Sequence, residues 1–358
     1  MISARQTRVL LLAASLSTSS LAQSPNADLP HPGPAERQSL HDAVGQNARC
    51  ETCHAQIARE WRRSRHHVSF TNRAFQGAVR REGERDFCVD CHAPETTRSG
   101  APTRDEGELG VGCVTCHVPR DSLLAAPKAE ANSAPHQLET RADFASAEAC
   151  RACHEFRFTE PRPNWASESA QWMQRTWREH HDGNVDGNNA SCNDCHLPKV
   201  DDGNGQSHRR HDFPGGYDVE MVRRSLTVTV RRSGPGRVEI TLQPADVTHA
   251  MPTGDLFRRL ALSAQTRGPH PSKAVRYLAR HHREVGRGMR VEEADDRPRV
   301  RATVVTLDLG ADAGQLPIEY RVVYQRVDQL LGNDEARAIV IGEIELAAGV
   351  LKTDPAQH

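Results

Sequence analysis

The sequence predicts an α+β protein with two domains, the first made of short helices and loops and the second an antiparallel β-sandwich-like domain. Two observations lead to this prediction. All ten cysteines lie between residues 50 and 195, in five Cys-x-x-Cys-His motifs separated by loops rich in Gly, Asn and Pro. After residue 217 there are no cysteines, and short segments alternate apolar with polar residues, as in strands with one buried face.

The first 22 residues have the features of a secretory signal peptide. Arg5 and Arg8 precede an apolar run from Val9 to Leu16, and Ala22 ends a small-x-small cleavage site. The run is shorter than the roughly 20 apolar residues of a membrane-spanning helix. We therefore expect residues 1–22 to be removed, residues 23–45 to form a linker, and the mature chain to be soluble and periplasmic or extracellular.

The five Cys-x-x-Cys-His motifs need a chemical explanation, and disulfides, zinc and covalent haem compete for it. Disulfides leave the histidines unused, and structural zinc takes four protein ligands without requiring a histidine directly after the second cysteine. Haem attachment explains all three positions, because residues i, i+3 and i+4 share one face of a helical turn. The two cysteines form thioethers and the histidine binds the iron as proximal ligand.

The sequence thus predicts five covalent haem c groups in the first domain, packed around one another. The attachment residues are Cys50 and Cys53, Cys88 and Cys91, Cys113 and Cys116, Cys150 and Cys153, and Cys192 and Cys195, with His54, His92, His117, His154 and His196 as proximal ligands.

Composition agrees with a cofactor-filled interior. Phe, Trp and Tyr make up 4% of the residues and all hydrophobic residues 37%. Porphyrins would supply the apolar surface that offsets the ordering entropy of the chain. The net charge is −1 and no long Lys/Arg block is present, which argues against nucleic acid or an anionic membrane as partner.

The function depends on whether each iron has a second protein ligand. Removing the five proximal histidines from nineteen leaves fourteen, and the contexts of five of these are informative. His66 follows Trp-x-x-Ser-x, His180 has a related setting, and His211 precedes Asp-Phe-Pro-Gly-Gly. His249 precedes a Pro-Thr-Gly turn, and His136 lies upstream of the fourth motif.

Through these motifs the chain resembles multihaem cytochromes of the cytochrome c554 type, within the wider group related to hydroxylamine oxidoreductase. The resemblance covers residues 46 to about 215 and extends more weakly to about 350. It implies that His66, His180, His211 and His249 are distal ligands, with His136 as the fifth candidate. Five proximal and five distal imidazoles would close five irons.

Several other histidines are alternatives to these ligands. His67, His181 and His208 lie beside the favoured residues, and His41 is an alternative for an early haem. Five further histidines are predicted to be surface residues, three of them in an Arg-rich segment that resembles a loop: His270, His281 and His282, with His31 and His358 near the termini.

Secondary structure follows the same division of the chain. Helices are expected around Gln56 to Phe70, Glu148 to His154 and Ser167 to His181. Strands are expected at residues 226–230, 238–242, 301–309, 319–327 and 338–346. The domains are placed at residues 46–215 and 216–352, with a tail at 353–358.

We expect a periplasmic electron-transfer protein whose five closely packed bis-histidine haems have low potentials. Its predicted partners are a membrane quinol dehydrogenase upstream and a periplasmic or outer-membrane acceptor. One alternative is an oxidoreductase acting on a small nitrogen or oxyanion compound at a five-coordinate haem, although no Cys-x-x-Cys-Lys motif and no run of eight haems is present. Another alternative is a subunit of an extracellular cytochrome filament.

Overall fold

The computed structural model describes residues 40–83, 85–96, 101–118, 122–127, 135–157, 172–184, 190–201, 207–286 and 289–353. The predicted signal peptide, most of the linker and most of the tail lie outside these ranges, as do His31, Trp165 and His358. Within them, no helix is both long enough and apolar enough to cross a membrane.

The haem-motif region, which we define as residues 40–215, consists of short helices. Their bounds are α1 Leu40–Cys53, α2 Ala55–Trp61, α3 Arg73–Glu82, α4 Arg85–His92, α5 Arg104–Leu109, α6 Cys113–His117, α7 Glu148–His154, α8 Thr176–Gly183 and α9 Cys192–His196. Three two-stranded sheets join them: β1 Leu124–Ala125 with β2 Glu139–Thr140, β3 Glu155–Arg157 with β4 Trp172–Arg175, and β5 Lys199–Asp201 with β6 Ser207–Arg209.

Every Cys-x-x-Cys-His motif lies on a helical turn. The first motif ends α1, and His54 follows at the start of α2. The other four motifs lie within α4, α6, α7 and α9. Both cysteines and the histidine of each motif therefore share one helix face, as thioether attachment requires.

The three helix predictions have different outcomes. The helix Glu148–His154 is confirmed. The helix expected from Gln56 ends at Trp61, because the following turns are held by distant contacts, such as that of the Ser69 hydroxyl with the His92 carbonyl oxygen at 2.7 Å. In the third segment, residues 172–175 form a strand paired with β3, and the helix begins only at Thr176.

The β-region, residues 216–353, opens with a short helix and continues with eight strands in its described part. The elements are α10 Val219–Arg224, β7 Leu226–Gly234, β8 Arg237–Pro244, β9 Arg258–Thr266, β10 Lys273–Gly286, β11 Met289–Asp295, β12 Thr303–Asp308, β13 Ile318–Leu331 and β14 Asp334–Leu351. They form a sheet of order β12-β8-β7 and a sheet of order β11-β10-β9-β13-β14, with antiparallel neighbours throughout.

The two sheets share one apolar core. Ile240 and Leu242 of the smaller sheet and Leu260, Leu262 and Val322 of the larger sheet are fully buried in it. The buried apolar cluster in the haem-motif region is much smaller and is formed by Ala43, Val114 and Val118. Side chains alone thus build the core of the β-region, whereas the haem-motif region depends on other apolar material.

The prediction that His281 and His282 belong to a surface loop is wrong. Both residues lie in β10, which is hydrogen-bonded to β9 and β11. The many arginines of this strand were the reason for the loop prediction, but they pair with acidic residues. Arg280, for example, is buried and bonded to Glu292 at 2.7 Å.

His281 is held between two carboxylates, which predicts a pH-dependent stability. Its Nδ1 contacts Glu335 Oε1 at 2.5 Å and its Nε2 contacts Asp296 Oδ1 at 2.8 Å. These hydrogen bonds raise the pKa of His281 to about 9, although Arg259 and Arg276 also face the two acids.

The stabilisation is complete below the unfolded-state pKa of roughly 6.5 and is lost as the pH rises through about 9, with a magnitude of about 3 kcal/mol before solvent screening, which reduces it for this partly exposed ring. Thermal unfolding of the wild type should therefore occur at lower temperature at pH 9.5 than at pH 6. The variant His281→Gln should lose most of this difference. An equal pH dependence in both proteins would contradict the prediction.

Candidate haem sites

Four proximal histidines each face a histidine from a distant part of the chain. The ring centroids are 6.4 Å apart for His54 and His136, 6.3 Å for His66 and His154, 6.2 Å for His117 and His211, and 6.4 Å for His196 and His249. These eight residues were all singled out in the sequence.

The separation within each pair fits one metal ion between two imidazoles. A ring nitrogen binds a transition metal at roughly 2 Å, so two imidazoles on opposite sides of one ion have centroids roughly 6 Å apart. Direct stacking, or a direct hydrogen bond with the ring nitrogens roughly 3 Å apart, would bring the centroids closer than observed. The geometry therefore suits axial ligation of a haem iron in all four pairs.

Hydrogen bonds at Nδ1 leave the other ring nitrogen available in several of these histidines. His117 Nδ1 donates to Leu124 O at 3.0 Å, and His196 Nδ1 donates to Pro214 O at 2.5 Å. On the opposite side of the pairs, His211 Nδ1 donates to Arg209 O at 2.6 Å and His249 Nδ1 donates to Ala250 O at 2.9 Å. A backbone carbonyl bound in this way fixes the tautomer and the orientation of a metal-binding imidazole.

The surroundings keep these rings neutral, as metal ligation requires. Removal from water lowers the pKa of His66 to about 3 and that of His249 to about 4. Removal from water also lowers the pKa of His117, His154 and His196, against the opposing effect of hydrogen bonds to their rings.

The alternative histidines do not face a proximal histidine. His67 packs on Trp61 at 4.3 Å, and His181 stacks on Trp177 at 5.3 Å. His208 directs Nε2 to Glu60 Oε1 at 2.9 Å, so this nitrogen is engaged by a carboxylate. The His41 side chain lies outside the described residues.

His180 does not lie opposite a proximal histidine either, although the resemblance implied that it is a ligand. It is buried, and its Nδ1 contacts Thr248 Oγ1 at 2.5 Å. The ring that contacts His92 is Phe75, stacked at 3.7 Å, and no histidine ring opposes His92 within the described part of the chain. His92 Nδ1 donates to Ser69 O at 3.0 Å, as in the paired histidines.

A single cavity of about 2120 Å³ contacts the first four motifs. This volume exceeds the roughly 1,000 Å³ at the upper end of ordinary ligand pockets, so it suits several large cofactors in contact. Its wall includes arginines able to pair with the carboxylate groups of a porphyrin: Arg49, Arg65, Arg81, Arg141, Arg209 and Arg258. These arginines have no sequence context that could have identified them.

Cysteines from different motifs lie beside one another. Hydrogen bonds connect Cys91 with Cys153 and Cys150 with Cys192, and they are the largest cause of the raised pKa of Cys91 and Cys150. Burial is the largest cause of the raised pKa of Cys116, and the charge of Cys153 raises it further. The fourth motif is therefore next to the second, third and fifth motifs.

The first motif is next to the third. Asn47 of α1 accepts a hydrogen bond from the backbone N–H of Cys113 at 2.7 Å, and the charge of Cys50 raises the pKa of Cys113. Phe213, which sequence reasoning missed, connects the third and fourth sites, since its ring lies 4.2 Å from that of His66 and 5.7 Å from that of His211.

Opposed imidazoles beside helical Cys-x-x-Cys turns, around one continuous cavity, define a multihaem c-type cytochrome, a class of electron-transfer proteins. The family described as "Cytochrome c554 and c-prime" matches residues 49–118, so this stretch of the chain is similar to cytochromes of the c554 type. The resemblance drawn from the motifs is thereby confirmed.

The fold is similar to that of a crystal structure of a penta-heme cytochrome c552 from Thermochromatium tepidum. The TM-score is 0.62 and the sequence identity 18%, and the match covers 88% of this chain and 100% of that chain. At this identity the likeness concerns the fold alone. The search among curated proteins found no match.

Proposed function

We propose that the protein is a periplasmic pentahaem electron carrier in which four haems have two histidine ligands and the haem at His92 has one. The observation that carries this proposal is the common separation of 6.2–6.4 Å in the four imidazole pairs. The ligand pairs are His54 with His136, His154 with His66, His117 with His211, and His196 with His249. Haem supplies the electron-accepting iron, and the chain supplies the ligands and the spacing.

The neighbouring cysteines suggest the order of the haems in space. The first motif adjoins the third, the third adjoins the fourth, and the second and fifth both adjoin the fourth. Thioether-bearing edges of neighbouring porphyrins would then lie in contact. Electrons would pass from the first haem through the third to a junction at the fourth, where the path divides.

The proposed location and partners follow from the N-terminal signal and from the expected potentials. Bis-histidine haems lack the methionine ligand that raises the potential of a cytochrome, so these carriers should have low potentials. A membrane quinol dehydrogenase is a suitable donor, and a periplasmic or outer-membrane protein is a suitable acceptor. His54 and His136 are exposed, which favours the first haem as the one nearest to an external partner.

A second candidate function is binding or conversion of a small ligand at the His92 haem. It is favoured by the lack of a histidine opposite His92 among the described residues. The cavity extends from His92 to Asp255 and Arg258 of the β-region, and the Asp255 carboxylate partly opposes the lowering of the His92 pKa by burial. An ion pair of 3.2 Å joins Asp255 and Arg258.

Haem count and electron count together test the main proposal. Mass spectrometry of the denatured mature protein should show the chain plus five haems, because all five motifs lie on helical turns. A reductive titration should then take up five electrons per chain. Four or fewer haems after complete maturation would exclude a pentahaem protein, and five haems with fewer than five electrons would exclude a connected carrier.

A further inference from the structure

We infer that α8 is a positioning clamp for His249, because it holds both ends of the loop 248–253 on which His249 lies. The inference rests on the proposed ligation of the fifth haem by His196 and His249. It assigns a role to α8 that its sequence did not indicate, since His180 of this helix was expected to be a ligand itself.

The C-terminal end of α8 packs directly on the residue before His249. A Cβ atom at Gly183 would overlap the backbone oxygen of Thr248. Since that oxygen belongs to the backbone, it cannot move aside as the end of a flexible side chain would. Glycine at position 183 therefore allows a close approach that any other residue would prevent.

His180 makes the second contact with this end of the loop. Its Nδ1 lies 2.5 Å from Thr248 Oγ1, one residue before His249. Because His180 is buried, breaking this contact would leave its Nδ1 without the hydroxyl partner, which is unfavourable.

The N-terminal end of α8 holds the other end of the loop. Thr253 Oγ1 lies 3.1 Å from Thr176 Oγ1 and donates to Glu179 Oε2 at 2.7 Å. Both partners lie on α8, so residues 248 and 253 are tied to one rigid helix.

A buried ion pair strengthens this end. Arg297 of the β-region binds Glu179 and also donates to Pro252 O at 2.6 Å. The side chains of Arg297 and Glu179 are each 2% exposed, and Asp295 pairs with Arg297 at 2.8 Å. Removing Arg297 or Glu179 from this buried set would leave the other side chain with an uncompensated charge. A shift of the loop relative to α8 is therefore unfavourable.

The contacts together restrict the loop 248–253, whose His249 faces His196. His249 also donates from Nδ1 to Ala250 O within this loop, so a shift of the loop moves the ring itself. Thr248, His180, Glu179 and Gly183 act on the iron only through His249 and are positioning residues.

The variant Gly183→Ala tests the inference in the full-length, haem-loaded protein. Displacement of Thr248 should turn one haem of five from low-spin to high-spin, as seen by electron paramagnetic resonance, while the mass still shows five haems. The far-ultraviolet signal of the strands should not change. Gly45→Ala in α1 is the matched control, because its Cβ would meet only Arg49 Nη1 at 3.8 Å.

Replacement of Thr248 tests the hydrogen bond without the steric change. Thr248→Val should raise the midpoint potential of one haem, because a loosened imidazole stabilises the oxidised iron less, or make it partly high-spin, and Thr248→Ser, which keeps the hydroxyl, should restore the wild-type spectrum. A ligand role for His180 predicts a different pattern: His180→Gln would produce a full high-spin haem, and His249→Ala would keep the wild-type number of low-spin haems.

The possible outcomes distinguish a failure of the proposed clamp from a failure of the proposed ligation by His249. If His249→Ala gives a second high-spin haem beside the open one at His92, but Gly183→Ala and Thr248→Val both keep the wild-type spectrum and potentials, the clamp is excluded and the ligation stands. If His249→Ala keeps the wild-type number of low-spin haems, the proposed ligation fails. If Gly183→Ala does not fold, the Val and Ser variants of Thr248 decide.

Discussion

Replacing His249 by alanine is expected to convert one haem of five to the high-spin state and to leave the β-region folded. His249 is the proposed distal ligand at His196, with ring centroids 6.4 Å apart and planes at 20°. The strands do not depend on this ring, because their core is formed by side chains from both sheets. Electron paramagnetic resonance and circular dichroism measure the two effects separately.

The same variant should also loosen the contact between the haem-motif region and the β-region. Limited proteolysis near residue 216 should then be faster than in the wild type. His270→Ala is a suitable control, since His270 is an exposed histidine of the same region. In His249→Ala, a number of low-spin haems unchanged from the wild type would mean that another residue is the ligand and that the loop 248–253 has a different role.

Carbon monoxide is expected to bind the reduced protein at one haem of five, the one at His92. With the proposed ligands the four paired irons would each have two imidazoles, and exchange of a bound imidazole is slow. At His92 the described residues provide a stacked Phe75 and no opposing histidine. When the reduced protein is titrated with carbon monoxide, the change in its absorption spectrum should therefore be complete at one equivalent per chain.

Loss of the second motif should abolish this binding. In Cys88→Ser/Cys91→Ser the mass should show four haems, and rapid carbon monoxide binding should disappear. Cys50→Ser/Cys53→Ser is the matched control, because it also removes one haem but leaves the His92 site in place. Binding that persists without the second motif would locate the open iron elsewhere, and no binding to the wild type would show that all five irons are closed.

The sequence predicted the local part of the sites and the alternating strands. Cys-x-x-Cys-His needs only one helical turn, so spacing is sufficient to identify Cys113, Cys116 and His117 as a unit. The strands β7 and β8 were predicted from alternation because each has one face on the core. In β9 the pattern fails, since residues 259–262 are buried in succession in the middle of the larger sheet.

The pairing of histidines could not be predicted, because it is a property of tertiary structure. His66 lies in the chain before the second motif, yet it faces His154 of the fourth motif. His66 and His180 have similar sequence contexts, and only the fold directs one to a proximal histidine and the other to Thr248. No residue near His180 in the sequence indicates that its ring contacts Thr248 of the loop 248–253.

The four proposed ligand pairs would also act as cross-links in the polypeptide. With the proposed ligands, each iron closes a large loop of chain: 54–136, 66–154, 117–211 and 196–249. In the chain-entropy treatment of disulfides, closing a loop of this size lowers the entropy of the unfolded state and so stabilises the folded state by about 4 kcal/mol. The stabilisation is smaller where the coordinate bond dissociates readily. Because each loop overlaps the next, residues 54–249 form one interlocked unit that cannot open in parts. Such a topology allows the haem-motif region to be stable with few buried side chains, and it makes the loss of a single ligand a disturbance of the whole unit.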